Sequence, residues 1–325
     1  MKRFIFIVAL FAALFETNAQ QFKDYWTDYH WTNGSEMLSS VRLNATQVVL
    51  VGNGYMDAGY GYLFEVKSLG GTNYEMRGIP ESAVKERPQD LGEMVAYMLD
   101  NGNCNGDDGE LWQRREVNGH DVLIKYFDDN TISTVYLPTG REMGEVVDDD
   151  LQEIFAGTYV STTGKKFQFN TDGTCVFDGK KNTYYMSDEG EGGTPALYIT
   201  LNRQYWELEP TVDGMNIYKT VPNPDIDGLS RGKLYATLKV ANDTPRWAFL
   251  SDRICTQYAL AQLDKDVLRL MRNEVYARHG YRFSDARLQA HFGACKWYKP
   301  VDDNQMVTLN GVENLNEALI KVIER

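Results

Sequence analysis

The residues best suited to catalysis are four histidines and one serine motif. The histidines lack the HExxH spacing that places two imidazoles on one helix face to bind zinc. A G-x-S-x-G pattern spans residues 228–232, but Ser230 follows a proline-containing loop and precedes a predicted strand, whereas a nucleophile elbow needs a strand, a tight turn and a helix. We therefore expect no catalytic residues and a protein that is not an enzyme. The four histidines are His30, His120, His279 and His291.

Two loops imitate the start of a calcium-binding loop. Asn101–Gly106 and Asn223–Gly228 each place side-chain oxygens at alternate positions before a glycine, as calcium loops do. Both lack the acidic residue that closes such a site, because Trp112 and Leu234 occupy the twelfth positions. Asn and Asp before Gly also form turns without any ion. We expect turns here, with no metal and no cofactor.

The charge balance narrows the range of partners. The chain has 325 residues, with 33 Lys and Arg against 46 Asp and Glu, which gives a formal net charge of −13. Nucleic acids are bound chiefly by neutralising their phosphates with Lys and Arg, so nucleic acid is not an expected partner. Beyond residue 20 no apolar run reaches the ~18 residues that a membrane span needs, so we expect no membrane span in the mature chain.

The first residues have the composition of a secretory signal. Lys2 and Arg3 precede the apolar run Phe4–Phe15, and small residues lead up to a cleavage position after Ala19. A membrane anchor is the alternative, but this run is shorter than the ~20 residues that cross a bilayer. We therefore expect residues 1–19 to be a signal peptide and the protein to be exported, either to the periplasm or to the extracellular space.

Four cysteines follow the predicted signal peptide, so disulfide pairing is possible in an oxidising compartment. Cys255 and Cys295 bracket one helical segment and are the natural pair. A bridge between them would close a loop of about forty residues and stabilise the fold by roughly 4 kcal/mol, if the geometry permits. Cys175 lies in a strand-like run and is expected to be a buried apolar residue. No CxxC motif or histidine cluster accompanies any of the four, Cys104 included, so zinc is not expected.

Two long regions alternate apolar and polar residues with a period of two, which is typical of β-strands. In residues 20–145, short runs such as Gln47–Val51 are separated by turns rich in Gly and Asn, with one helical interruption near Leu91–Leu99. After the acidic run Glu145–Asp150, residues 151–248 contain strand-like runs about every ten residues, a spacing that favours an antiparallel meander closing into a small barrel or sandwich. We expect one or two antiparallel β units.

Beyond Ser251 the periodicity becomes helical, so the expected fold class is α+β, with a small helical domain over residues 250–325. Asp264 is placed to cap the first helix and Gly280 to end it, and Ser284 is placed to cap the second. The three predicted helices cover Lys265–His279, Asp285–Phe292 and about Val312–Glu324.

The segment from Leu270 to Phe283 reads LMRNEVYARHGYRF and closely resembles the central motif of the YARHG domain, a module of bacterial exported proteins. The resemblance covers residues 250–325 and includes Trp297–Pro300. It implies an extracellular or periplasmic helical domain, commonly carried at the end of a larger chain, with no established biochemical role and no catalytic set. The stretch Phe155–Tyr159 is also similar to the opening strand of small lipocalin-like domains, with Tyr159 near the position where those have Trp.

Within the motif, Arg278 falls on the apolar face of its helix, together with residues such as Val275. An unpaired buried charge is costly, so the Arg278 guanidinium needs acceptors. Glu274 lies one turn earlier, in the favourable order for an ion pair, and nearby carbonyls at the helix end and Asp285 are further candidates. His279 in the last turn complements the helix dipole.

These residues have two interpretations, one structural and one functional. In the first, Arg278, His279 and Trp297 lock three short helices together. In the second, Arg278 and His279 present donors to a ligand carboxylate or phosphate beside aromatic rings. The residues with possible roles in ligand or partner binding are Arg278, His279, Trp297 and Tyr298. The residues expected to have structural roles are Glu274, Tyr276 and Gly280.

We expect non-catalytic binding or scaffolding in the bacterial envelope, through the β surface, the helical domain or both. The expected partner is an envelope protein or a cell-surface ligand. Two alternatives stay open: a hydrolase with its site in a β pocket, and a small-ligand carrier with a hollow barrel. A hydrolase would gather a histidine or a carboxylate pair around a hydroxyl in one cleft, and a carrier would contain an apolar internal cavity.

Overall fold

The fold is given by a computed structural model, which describes residues 30–53, 60–84, 87, 93–102, 104, 109–138, 143–187, 197–201, 203–225 and 228–325. The predicted signal peptide, residues 1–19, lies outside the described residues, as do Asn103, Asn105 and Asp227 of the two calcium-like loops. The chain divides into two compact units, Met1–Gly140 and Arg141–Arg325.

Eight antiparallel strands of the first unit pair in chain order and close into a barrel. They are β1 (His30–Thr32), β2 (Met37–Arg42), β3 (Gln47–Asn53), β4 (Tyr60–Gly70), β5 (Asn73–Gly78), β6 (Leu111–Val117), β7 (His120–Tyr126) and β8 (Ile132–Pro138). The barrel closes where β8 pairs with β1, with Leu137 opposite Thr32. A short 3-10 helix, Glu81–Ala83, and the helix α1 (Glu93–Asp100) lie between β5 and β6.

Strand β3 shows how the alternating sequence builds this unit. Successive strand residues point to opposite faces, so Val48 and Leu50 join the barrel interior while Val49 and Val51 join a second cluster that includes residues of α1. Both faces are buried, which explains why the run is continuously apolar. The carrier alternative expects a cavity in the barrel, whereas the described side chains form a packed cluster there. Its buried members are Trp31, Leu38, Val48, Leu50, Phe64, Val66, Tyr74, Met76, Trp112, Leu123 and Tyr136.

The second unit contains a nine-stranded antiparallel sheet in the order β12-β11-β10-β9-β17-β16-β15-β14-β13. The pairing of β9 with β17, which sets Tyr159 opposite Val240, joins the two halves of the sheet. Ser230 of the G-x-S-x-G pattern lies within β17 and pairs with Val221, so it is a strand residue. The strands are β9 (Gly157–Ser161), β10 (Lys166–Phe169), β11 (Thr174–Phe177), β12 (Lys180–Thr183), β13 (Tyr185–Ser187), β14 (Leu197–Leu201), β15 (Gln204–Thr211), β16 (Gly214–Asn223) and β17 (Gly228–Val240).

Helices flank this sheet in the sequence and confirm the α+β class, with β-rich regions followed by a helical region. The acidic run Glu145–Asp150, which the sequence suggested as a separator, lies inside a helix, α2 (Met143–Phe155). No helix among the described residues has both the length and the apolar character needed to cross a membrane. The later helices are α3 (Gln257–Ala261), α4 (Lys265–Arg278), α5 (Ala286–Gly293) and α6 (Gly311–Glu324), with 3-10 turns at Ala248–Ser251 and Asn304–Met306.

The helix boundaries follow local capping chemistry. Asp264 occupies the predicted N-cap position of α4, but its side chain makes no capping hydrogen bond. The prediction that Ser284 caps the next helix is wrong, because the Asp285 carboxylate accepts the backbone N–H groups of Arg287 and Leu288 and α5 begins one residue later. Helix α6 starts with a reciprocal capping box, a feature not recognised from the sequence.

Gly280 ends α4 as predicted, because its backbone adopts a conformation that other residues disfavour. Its φ is +80°, in the left-handed region. A Cβ atom at this position would lie 2.6 Å from the carbonyl oxygen of Lys299. The Gly280 carbonyl also accepts a hydrogen bond of 2.8 Å from the backbone N–H of Val301, so the backbone of residues 299–301 packs directly against Gly280.

Replacing Gly280 with Ala should therefore destabilise the second unit by about 1–3 kcal/mol, because the substitution adds both φ strain and a clash. The matched control is Gly293→Ala at the end of α5, where nothing lies within 4 Å of the added Cβ and φ is not positive. Denaturant unfolding of the three proteins measures the difference. Equal free energies of unfolding for the two variants would contradict the assignment of Gly280 as an obligatory glycine.

Candidate functional site

Residues 246–256, which we call the entry segment, lead from the sheet into the C-terminal helices. Apart from the 3-10 turn Ala248–Ser251, the segment has no regular secondary structure. Several of its residues, including Trp247 and Leu250, are buried. A buried irregular backbone has no ladder or helix to satisfy its N–H and C=O groups, so they need other partners. Side chains of the surrounding helices supply them.

Glu274 of α4 provides two of these contacts. Its carboxylate accepts the backbone N–H of Arg246 at 3.0 Å and that of Trp247 at 2.6 Å. Burial raises the pKa of Glu274, and the two backbone hydrogen bonds oppose that rise, with smaller contributions from Arg278 and Arg246. The backbone of the entry segment thus takes both carboxylate oxygens of Glu274, and Arg278 acts on this carboxylate through its charge, as a smaller contribution than the two hydrogen bonds.

Two further buried side chains hold the end of the segment. Asn316 of α6 accepts the backbone N–H of Cys255 at 3.0 Å and donates to the carbonyls of Leu250 and Arg253 at 2.9 and 2.8 Å. Asp150 of α2 accepts the backbone N–H of Thr256 at 2.7 Å and the Arg253 guanidinium at 2.5 Å. An Asn can donate and accept at once, and this position uses both functions.

Glu313 of α6 is the carboxylate on which the motif residues converge. It accepts the Ser251 hydroxyl at 2.6 Å and the Asn310 backbone N–H at 2.9 Å, and His279 Nε2 lies 2.8 Å from Oε2. Burial alone would raise the pKa of Glu313, but the hydrogen bonds from Ser251, Asn310 and His279 outweigh it and the pKa is lowered. Glu313 is therefore a buried, ionised anchor.

Arg278 and His279 both face this anchor. Arg278 donates to the Ala248 carbonyl at 2.7 Å, and its Nη2 lies 3.7 Å from Glu313 Oε1. Burial lowers the pKa of Arg278, and the nearby carboxylates, Glu274 first, oppose that change. Both motif side chains thus make their polar contacts inside the domain. A ligand-binding role for them stays a prediction.

The remaining predicted residues lie at different places. Tyr276 packs edge-on against Tyr281 with ring centroids 5.6 Å apart. Tyr298 donates its hydroxyl to the Tyr281 carbonyl at 2.7 Å. Trp297 packs edge-on against Phe292 and lines a separate cleft. The structure therefore brings Arg278 and His279 together at Glu313 and places Trp297 in another environment.

All four cysteines are buried free thiols. Burial is the main cause of a raised pKa at Cys255 and at Cys295, so neither thiol is activated. The Cys295 thiol donates to the His291 carbonyl at 3.5 Å. Pairing of Cys255 with Cys295 on oxidation stays a prediction.

A cleft of about 550 Å³ lies between the sheet of the second unit and its C-terminal helices. One wall comprises the turn at Val212–Asp213 and the end of β17, and the other comprises faces of α4 and α5 and the loop after α5. Its apolar lining includes Trp247, Leu270, Ala290 and Ala294, and its polar or charged lining includes Asp213, Lys239, Arg246, Glu274, Arg287, His291 and the Trp297 indole.

Several polar groups in this cleft have no partner within the described part of the chain. They are the Lys239 ammonium, the Arg287 guanidinium, the His291 ring nitrogens and the Trp297 indole N–H. Burial lowers the pKa of His291, with Asp213 opposing the change and Arg246 adding to it, so the imidazole is neutral near neutral pH. The cleft thus combines an apolar surface with charged hydrogen-bond donors, on Lys239 and Arg287, and neutral ones, on His291 and Trp297. The sequence did not indicate that Arg287 and His291 line a common cleft.

The comparisons with known proteins bear on the region from the entry segment onward. Residues 246–325 match the YARHG domain family. This part of the chain is a YARHG domain. No curated protein and no solved structure matches the chain. The match starts four residues before the boundary expected at residue 250 and so includes the start of the entry segment.

The five residues that spell the family's motif have separable physical roles here. Ala277 is buried, Arg278 and His279 reach Glu313, and Gly280 turns the chain. Tyr276 supports the turn through Tyr281. The motif of this YARHG domain therefore fixes the end of α4 against α6 and the entry segment.

Of the other histidines, His291 lies within the YARHG domain, and His30 and His120 lie in the first unit. His30 Nδ1 lies 2.9 Å from the Ser39 hydroxyl, which is the contact most like a hydrolytic pair among the described residues. His30 of β1 and Ser39 of β2 lie directly opposite each other in this strand pair, and their contact is exposed. This arrangement is an ordinary cross-strand pair.

Replacing Glu313 with Gln should destabilise the YARHG domain by about 1–3 kcal/mol near neutral pH, because an amide cannot accept all of these donors. The folded pKa of Glu313 lies below its ordinary value of 4.5, so the carboxylate stabilises the fold above that pH and the contribution is lost as the pH falls through the lowered value. Unfolding free energies at a series of pH values should show the difference between wild type and variant shrinking with acidification.

The control for this prediction is Asp302→Asn, because the Asp302 carboxylate is fully exposed and contacts only Arg282 at 3.4 Å. This change should alter stability little at any pH. A pH-independent effect of Glu313→Gln would show that ionisation of Glu313 is not what stabilises the domain.

Proposed function

We propose that the protein is an exported, non-catalytic binding module and that the cleft of the second unit is its ligand site. YARHG domains are typically found in exported proteins, and the first residues of this chain read as a signal peptide. The β sheet and the YARHG domain each contribute one wall. The two parts then act as one binding unit.

The observation that carries this proposal is the group of polar side chains without partners that line the cleft. Most buried or half-buried polar groups in the entry segment are satisfied by neighbouring side chains, as at Glu274 and Asn316. In the cleft, by contrast, His291, Trp297, Lys239 and Arg287 present hydrogen-bonding groups to the open space. A concave site with an apolar floor and a few unengaged polar groups is the usual form of a small-ligand site.

The chemistry of the cleft supports binding over catalysis. The described lining includes one thiol, that of Cys295, and its raised pKa keeps it protonated. This thiol donates to the backbone carbonyl of His291, so the imidazole does not act as its base. A neutral imidazole can still donate one hydrogen bond and accept another, which suits ligand recognition.

An exported protein should lose its signal peptide by cleavage. Full-length chain produced in a Gram-negative host should yield a mature product that starts after Ala19, because the run Phe4–Phe15 directs secretion. Intact mass measurement of the periplasmic and culture fractions checks this. Val8→Asp, which interrupts the apolar run, should leave the protein unprocessed in the cytoplasm. An unprocessed wild-type chain would contradict export by this signal.

The binding site is tested by filling the cleft. Ala290 is exposed on α5 and lines the cleft, so Ala290→Trp should block it without disturbing the core. Ala286 is exposed on the same helix outside the described cleft lining, which makes Ala286→Trp the matched control. Each purified protein is exposed to the low-molecular-mass fraction of a bacterial envelope extract and examined by native mass spectrometry, with thermal unfolding as a check of folding.

Wild type and Ala286→Trp should retain a bound small molecule that Ala290→Trp lacks. Equal retention by all three folded proteins would place the ligand elsewhere and reject the cleft. If the folded wild-type protein retains no molecule even when the extract fraction is added in saturating amount, small-ligand binding is rejected as the function.

A further inference from the structure

Two cationic residues line the cleft, one from the sheet and one from the C-terminal helices. Lys239 belongs to β17 and Arg287 to α5, and both are exposed. Among the residues that the structure describes, neither side-chain head group makes a hydrogen bond or an ion pair. Several other arginines of the same unit are paired with carboxylates, for example Arg253 with Asp150 at 2.5 Å. In a chain with a net charge of −13, two unpaired cations lining one cavity mark a place suited to an anion.

The charge of that anion follows from the acidic side chains nearby. The described lining holds three cationic side chains, with Arg246 as the third, and two carboxylates, Asp213 and Glu274. Glu274 is engaged by backbone N–H groups, but Asp213 is free to repel a ligand. The lining therefore carries a small positive excess, which one negative charge balances. A dianion such as a phosphate ester would leave one of its charges uncompensated, and removing that charge from water is costly.

The ligand also needs an apolar portion. The apolar part of the lining includes Leu270, Ala290, Ala294 and the Trp247 and Trp297 rings. A fully hydrated inorganic ion would leave this surface in contact with water, whereas a hydrocarbon or aromatic body would cover it. The cleft volume of about 550 Å³ lies within the range of sites for small organic ligands, about 300–1,000 Å³.

We infer that the cleft binds a small organic carboxylate, with its carboxylate between Lys239 and Arg287 and its apolar body against Leu270 and Trp297. This inference rests on the proposed binding function and adds the chemical class of the ligand. The guanidinium can hold a carboxylate through two parallel hydrogen bonds, and the ammonium adds a point charge from the other wall. The Trp297 indole and the neutral His291 ring supply further donors.

The test compares three probes of one shape: 3-phenylpropionate, its amide, and 2-phenylethyl phosphate. Isothermal titration of the full mature protein should show the carboxylate binding at least tenfold more tightly than the amide and more tightly than the phosphate. Lys239→Met and Arg287→Met should each weaken binding of the carboxylate by about three- to tenfold, as expected for partly exposed charges. Binding of the amide should change little in both variants.

The matched control is Lys233→Met, because Lys233 is exposed on the same strand as Lys239 and lies outside the described cleft lining. It should bind 3-phenylpropionate like wild type. Equal affinity for acid and amide, or tighter binding of the phosphate, would overturn the assignment to a monoanion. No saturable binding of the carboxylate at about 10 mM would overturn it as well.

The variant Ala290→Trp separates this inference from the proposed function. In one outcome, Ala290→Trp fails to retain the extract-derived molecule that wild type retains, but the acid and the amide bind wild type equally. The cleft is then a binding site, and the assigned ligand class is wrong. If 3-phenylpropionate binds Ala290→Trp as well as wild type, the carboxylate lies outside the cleft and both proposals fail.

Discussion

The second unit depends on buried side chains that satisfy the backbone of the entry segment. Leaving one buried backbone group unpaired costs about 1–3 kcal/mol, and this segment has no helix or sheet to prevent that cost. Glu274, Asn316 and Asp150 accept its N–H groups, while Asn316 and Arg278 donate to its carbonyls. These four side chains come from α2, α4 and α6. Satisfying one short segment therefore fixes three helices at once.

This requirement explains why the motif of the YARHG domain is concentrated at the end of one helix. Arg278 and His279 must reach Glu313 on α6, and the chain must then turn sharply away at Gly280. Glu313 also caps its own helix through the Asn310 backbone, so one carboxylate serves both the start of α6 and the end of α4. This arrangement favours the observed packing, because moving α4 away from α6 would separate the Arg278 charge from the buried Glu313 carboxylate.

Local features were predictable from the sequence, and long-range ones were not. Asp264 and Gly280 mark the ends of α4 because caps and left-handed stops depend on one or two residues. Helix α2 was missed because its acidic residues suggested a separator, although Val147, Leu151 and Ile154 form a helical stripe. The partner of Glu274 was misjudged for a different reason: Arg278 is four residues away in sequence, whereas the backbone that binds it lies in another part of the fold.

Arg246 links the packing of the YARHG domain to its cleft. Its backbone N–H is held by Glu274, and its guanidinium donates to the carbonyls of Thr211 and Gly214 at the β15–β16 turn at 3.2 and 3.0 Å. The same guanidinium stacks on Trp247, 4.5 Å from the ring centroid. The turn that carries Asp213 is thereby fixed against α4, and this sets the separation of the two cleft walls. Because Glu274 both holds the entry segment against α4 and places Arg246, the geometry available to a ligand depends on a contact that also holds the domain together.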